Sequence, residues 1–268
     1  MKRKLASAFE EKSIDALTIE DERSFRHVGL YADLKEILRR ERYRFRVMRG
    51  RAATWDRALF LNLTFWSPDA GGDILVSDRI AADVVTHVAW HHLAARALKG
   101  RAGAPTVESL FLGEAIASAF DLYLVGRLLG HAPKSEFLAT QVPAMSEAAE
   151  AAGVSASELA ELLASIAADP ERAFADLRAL LFDATLALHA ARNAEEASRA
   201  LARFDAHRFG VLLHRYELSN WVLYARAYGR AVPDPAARTV DRALRKKSVG
   251  LDWLTTEWVN RALHGGVR

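Results

Sequence analysis

From Arg79 to Tyr228 the chain reads as one helix after another, and this more than any other feature limits its possible folds. No alternating run in that stretch suggests a strand. Arg79 to Leu98 (RIAADVVTHVAWHHLAARAL) is a long helix candidate that Lys99-Gly100 ends. Val107 to Leu129 is the next and stops at Gly130. Ser155 with Glu158 forms a capping-box pattern before an Ala/Leu-rich helix. Asp169-Pro170 places a cap and a first-turn proline before a helix to about Ala191, and Asn193 with Glu196 opens another to about Phe204. His207 to Tyr228 looks helical and largely apolar, and the segment VPDP separates it from two shorter C-terminal helices.

Any sheet is therefore confined to the N-terminal part. Leu30 to Glu41 has apolar residues at helical spacing. Tyr43, Phe45 and Val47 then alternate with Arg42, Arg44 and Arg46, which predicts a strand with one basic face. The apolar, aromatic run Ala58 to Trp66 reads as a buried strand. The turn signal SPDAGGD and a short strand at Ile74-Leu75-Val76 follow, and then Ser77 and Asp78, either of which could cap a helix. The expected class is α+β and predominantly α, with a site-bearing α+β region over residues 1–130 and a helical region over 131–268.

The chain of 268 residues contains no Cys. Disulfides, thiolate-held zinc, iron–sulfur clusters and thiol nucleophiles are thus excluded, and any metal has to be held by imidazole and carboxylate. A formal charge of +3 is too small to imply nucleic-acid binding by itself. The basic start has no apolar run behind it, so no signal peptide or membrane anchor is expected. No charge-free apolar stretch long enough for a transmembrane helix is read either. The default expectation is a cytoplasmic protein without a membrane partner.

The chemistry concentrates in DVVTHVAWHH, Asp83 to His92. His87 and His91 stand at i, i+4 on a predicted helix, which puts both rings on one face, where they can share a metal. The next strong helix contains LFLGEAIASAFDLYL, with Glu114 near its start. Here the sequence resembles the gluzincin branch of the zincin metallopeptidases. In that family an H-E-x-x-H helix lies beneath a small sheet, and a following helix supplies a Glu ligand from an E-A-I-type segment. The resemblance covers about Leu59 to Leu129. It implies a zinc site of His87, His91 and Glu114, with one position left open. It also locates a departure. The Glu that serves the family as general base is replaced by Val88, which cannot accept a proton. The family's acid four residues after the Glu ligand is Ser118, a weaker orienter for a His ligand. Asp121, near the same helix face, is the alternative.

Three readings follow. One is a zincin-like, metal-binding pseudopeptidase. The second is a metal-dependent hydrolase whose base has moved to His92, Asp83, Glu108, His214 or Glu217. The third is a metal-free binding or scaffold module for a protein partner. The basic cluster Arg39 to Arg51 could serve such a module by binding nucleic acid or an acidic partner, although a solvated or edge-protecting face is the favoured reading of it. His92 lies about 100° around the helix from His91 and is expected to meet a neighbouring element rather than the metal. His207, His214 and Glu217 would share a face if one helix carried them, and Tyr216, Trp221 and Tyr224 are expected in the core.

Overall fold

The structure is a computed structural model that describes residues 8–65, 72–98, 105–247 and 249–265, with backbone alone over 62–65. It is α+β and predominantly helical. In chain order the elements are β1 (Phe9–Lys12), β2 (Thr18–Glu20), α1 (Gly29–Arg40), β3 (Phe45–Met48), α2 (Trp55–Phe65), β4 (Ile74–Leu75) and β5 (Arg79–Ala81). They continue with α3 (Ala82–Ala97), α4 (Val107–His131), α5 (Glu136–Ala151), α6 (Ala156–Ala168), α7 (Pro170–Ala190), α8 (Ala194–Ala202) and α9 (Leu218–Tyr228). The last are α10 (Pro235–Lys246), α11 (Gly250–Leu254) and α12 (Asn260–His264), the final two joined by the π-helical turn Thr255–Val259.

Two small sheets sit at the N-terminal end. In one, β3 is central, antiparallel to β1 and parallel to β4; in the other, β2 and β5 run parallel. The second sheet corrects the expectation that helix begins at Arg79. Thr18–Glu20 pairs with Arg79–Ala81, so those backbone groups are spent on a ladder and α3 starts at Ala82. Ser77 and Asp78 are accordingly not its cap: the Asp78 carbonyl accepts from the Thr18 amide at 2.8 Å, leading into the ladder.

The run from Ala58 is helix, not strand. An apolar run of this length fits either element by composition, and burial decides which. Ala58 and Leu61, one helical step apart, pack on Met48 and Ile74, while Trp55, Leu59 and Phe60 are 74%, 53% and 64% exposed. The end of that run and most of the SPDAGGD turn lie outside the described residues, as does most of the linker before α4.

The long helix α4 is the axis of the protein. Thr106 caps it in a reciprocal box with Ser109, and the Thr106 hydroxyl also donates to Asp234 at 2.6 Å, tying the cap to the start of α10. By length and apolar content α4 could cross a membrane, but 83% of its most apolar window is buried inside this protein against α3, α6 and α7. Its hydropathy is that of a core helix wrapped on all sides. Among its buried side chains, Phe111, Ile116, Phe120 and Leu124 join Trp90 of α3 and Phe174 and Leu181 of α7 in one hydrophobic cluster.

The capping signals at Ser155, Asp169 and Asn193 each accept the expected backbone N–H. One helical segment is unannounced in the sequence and another departs from expectation. Helix α5, with Pro143 inside it, carries no strong start signal in the sequence beyond Ser135, which caps it. The segment 207–228 is not one helix: Gly210–Tyr216 is a 3₁₀ turn, Glu217 takes a left-handed conformation with φ 47°, and α9 starts afresh at Leu218. That break turns His214 out to solvent and takes His207 off any shared face; the His207 ring instead accepts from the Phe209 amide at 3.1 Å.

Candidate metal centre

Helices α3 and α4 pack side by side and bring together the three residues singled out as ligands. One turn of α3 separates His87 from His91, and their Nε2 atoms lie 3.1 Å apart. From α4, Glu114 Oε1 approaches His91 Nε2 at 3.5 Å. The three donor atoms all fall within 4.8 Å of one another, close enough to hold a single metal ion. The set, two imidazole nitrogens and one carboxylate oxygen, needs no thiolate.

The outward nitrogen of His87 is also engaged. Asp121, two turns beyond Glu114 on the same helix, lies 3.0 Å from His87 Nδ1. A carboxylate there fixes the ring orientation and leaves Nε2 for the cluster, as carboxylates do behind metal-binding histidines. Ser118 lines the same cleft and is buried, but no hydrogen bond joins it to either histidine among the described residues. The orienting role thus falls to Asp121 and not to Ser118. The other Asp121 oxygen is buried without a partner among the described residues.

Three carboxylates, Glu114, Asp121 and Asp73, set the electrostatics around His87. Burial works against a charge on His87, but the charge and hydrogen bond of Asp121, then Glu114 and Asp73, outweigh it and raise His87 to about 9. Burial and the neighbouring His87 charge push His91 down to about 3. Burial, reinforced by Asp121 and Asp73 against the opposing pull of His87, raises Glu114 to about 7. Asp121 thus favours the doubly protonated form of His87, in which Nδ1–H donates to Asp121 and Nε2–H to His91, and a metal ion would compete with that proton.

The cluster opens into a cleft of about 530 Å³, within the range of small-molecule sites. Val88 lines it, so an apolar side chain stands beside the ligands. The residues weighed as replacement bases scatter. His92 turns the other way, onto Glu41 just past α1 and the edge of the Tyr43 ring. Glu108 is held by Arg238 and the Asp234 amide. Asp83, one turn before His87, is raised to about 6 by burial and by Asp121, but it does not line the cleft. Of the five, Glu217 alone lines it, and its carboxylate accepts from the Asn220 amide at 2.6 Å.

Sequence reasoning missed Asp73, which lines the cleft immediately before β4. Its placement is backbone work. Gly72 lets the chain press against β3, where a Cβ would lie 1.7 Å from the Arg44 carbonyl oxygen. The Arg46 amide donates to Asp73 O at 2.8 Å, and the Tyr43 hydroxyl donates to Asp73 Oδ2 at 2.8 Å. An acid that ends a Gly-rich turn directly ahead of a short strand is the signal that could have marked it. Tyr216, Trp221 and Tyr224, expected in the core, form the far wall of the cleft.

The basic row of β3 is not a face. Arg42 lies in a left-handed turn before the strand, Arg44 is exposed, and Arg46 is buried, donating to the Gly72 carbonyl at 2.7 Å. Arg39 pairs with Asp15 and Glu36, and Arg40 with Glu36. Compared with protein-family models, with curated proteins and with solved structures, the chain matches none.

Proposed function

We propose that this is a zincin-like metal-binding protein that lacks the family's Glu base and is not a conventional peptidase. The observation that carries the reading is the convergence of His87, His91 and Glu114 from two packed helices, with Asp121 behind His87. The donor set fits zinc, and the carboxylates of Glu114, Asp121 and Asp73 that act on His87 are what a divalent cation would relieve. When bound, zinc would supply a Lewis acid able to polarise an oxygen in the cleft. The protein's own part is to hold the ligands, orient His87 through Asp121, and wall the cleft with Tyr216 and Tyr224. Burial raises both phenols well above their ordinary range, so they stay protonated and able to donate. Val88 removes the proton acceptor that peptide hydrolysis needs beside the first histidine.

One observation favours a second reading, a hydrolase with a relocated base: Asp73 presents a carboxylate to the same cleft from a fixed backbone. The decisive measurement is metal content after purification without chelators or a His-tag. About one equivalent of zinc, lost in Ala variants of the three ligands, is expected; no uptake even with zinc added would overturn both readings. Peptide-library hydrolysis by the unmodified protein, abolished in Asp73→Asn with zinc retained, would replace the first reading by the second. Peptidase activity that arises only in Val88→Glu would show that the base alone was missing.

A further inference from the structure

The cleft is polarised along its length. Its floor is α4, on which Leu110 and Phe111 come one turn before Glu114, and Asp121 two turns after it. Its far wall is the 3₁₀ turn and α9. Tyr216 lies within electrostatic reach of Asp121, and Tyr224 within reach of Glu114. Wall and floor run in opposite directions, because the end of α9 at Gly229 packs against Val107 and Leu110 at the start of α4, where the Val107 amide donates to the Arg230 carbonyl at 3.1 Å. One end of the cleft holds Arg215 and Gln141 beside Tyr216; the other is lined by Leu110, Phe111 and Tyr224.

Arg215 is the one Lys or Arg lining the cleft among the described residues. The lining carboxylates have partners of their own: Asp121 has His87, Glu114 faces His91, Glu217 holds Asn220 and Asp73 holds Tyr43. Arg215 differs from them. Its contacts among the described residues are neutral, the Gln141 amide oxygen and the face of Tyr216, whose centroid is 5.8 Å from the guanidinium carbon. A partly buried guanidinium held by a neutral acceptor and an aromatic face keeps donors for an anion, and a planar carboxylate is its best geometric match.

We propose that the cleft binds an amphipathic carboxylate, with its acid group on Arg215 and its apolar group between Leu110, Phe111 and Tyr224, so that the ligand spans the metal cluster. The proposal names a ligand class for the cleft of the metal-binding reading, but the Arg215 contact does not need the metal. The two can therefore fail separately.

The test uses the full chain, zinc-free and zinc-loaded, with 3-phenylpropionate against its neutral isostere 3-phenylpropionamide, by calorimetry or ligand-observed NMR. The acid is expected to bind at least about tenfold more tightly than the amide in both forms. Arg215→Met should bring the two within about twofold, Arg215→Lys should keep part of the preference, and Tyr224→Ala should weaken both alike. Equal binding of acid and amide to the unmodified protein overturns the proposal, and so does binding of neither. A preference that needs zinc and survives Arg215→Met also overturns it, because the carboxylate would then sit on the metal. The comparison on the unmodified protein requires no variant to fold. Failure of zinc uptake with the zinc-free preference intact would remove the metal reading and leave this one standing. Competition by acetyl-Ala-Ala-Phe as free acid or as amide then tells whether a peptide terminus or a smaller acid is the better occupant.

Discussion

The floor and the far wall of the cleft are built by different means. The floor is two regular helices, α3 and α4, buried for most of their length and packed around Trp90 and Phe120. The wall is a 3₁₀ turn, a left-handed residue and a short helix that leaves Leu223 63% exposed and Tyr228 39% exposed. The metal-type donors with fixed spacing come from the floor, and the groups that would meet a ligand come largely from the wall. A site that must hold several atoms within a few tenths of an ångström is best set on rigid elements. Ligand contacts tolerate the less regular backbone.

The largest effect that would sharpen this contrast is on metal. Ala at His87, His91 or Glu114 is expected to reduce zinc content from about one equivalent to background by elemental analysis, whereas Ala at Trp221 should leave it unchanged. Retention of zinc in the floor variants would erase the distinction. Next is stability. Phe120→Ala empties a fully buried site between Trp90 and Tyr123 and is expected to cost about 3–5 kcal/mol in urea unfolding. Asp121→Asn should weaken zinc about 10- to 100-fold, by loss of the orienting carboxylate at His87 Nδ1. Ser118→Ala should have little effect in the same competition titration with a chelator.

The pH dependence is smaller per unit. Zinc has to displace the protons held by His87, raised to about 9, and by Glu114, raised to about 7. Affinity should rise about tenfold per pH unit between 7 and 9, where His87 alone still holds a proton to be displaced. Below 7 it should fall more steeply, because Glu114 is protonated as well. A flat profile from pH 6 to 9 would show that the cluster does not take the ion. The smallest effect belongs to the wall: Leu223→Ala should change unfolding free energy by no more than about 0.5 kcal/mol.

The same contrast explains what was legible in the sequence. His87 and His91 at i, i+4, and Glu114 and Asp121 two turns apart, need only the helical repeat to be placed on a face, and the caps at Ser155, Asp169 and Asn193 are local as well. Asp73 was hidden because its position depends on β3 and on the room left by Gly72, which are tertiary facts. The wall was misread because Glu217 interrupts a helical pattern without Gly or Pro to announce it. The helix at Trp55–Phe65 was missed because it is apolar on both sides, buried at Ala58 and Leu61 and exposed at Trp55, Leu59 and Phe60, so no helical stripe shows in its composition.

Glu217 has a further consequence. A left-handed backbone at a non-glycine residue costs on the order of 1 kcal/mol, and Gly or Asn would adopt it more readily. Its hydrogen bond to Asn220 and its place at the positive end of α9 recover part of that, but only while the side chain is a carboxylate. Laboratory selection for heat resistance alone would thus press on this position early, trading glutamate for glycine at the rim of the cleft. The chain that emerged would be sturdier, and one of the acidic groups that now define the cleft would be gone. Durability and the charge of the cleft draw on the same residue here, in opposite directions.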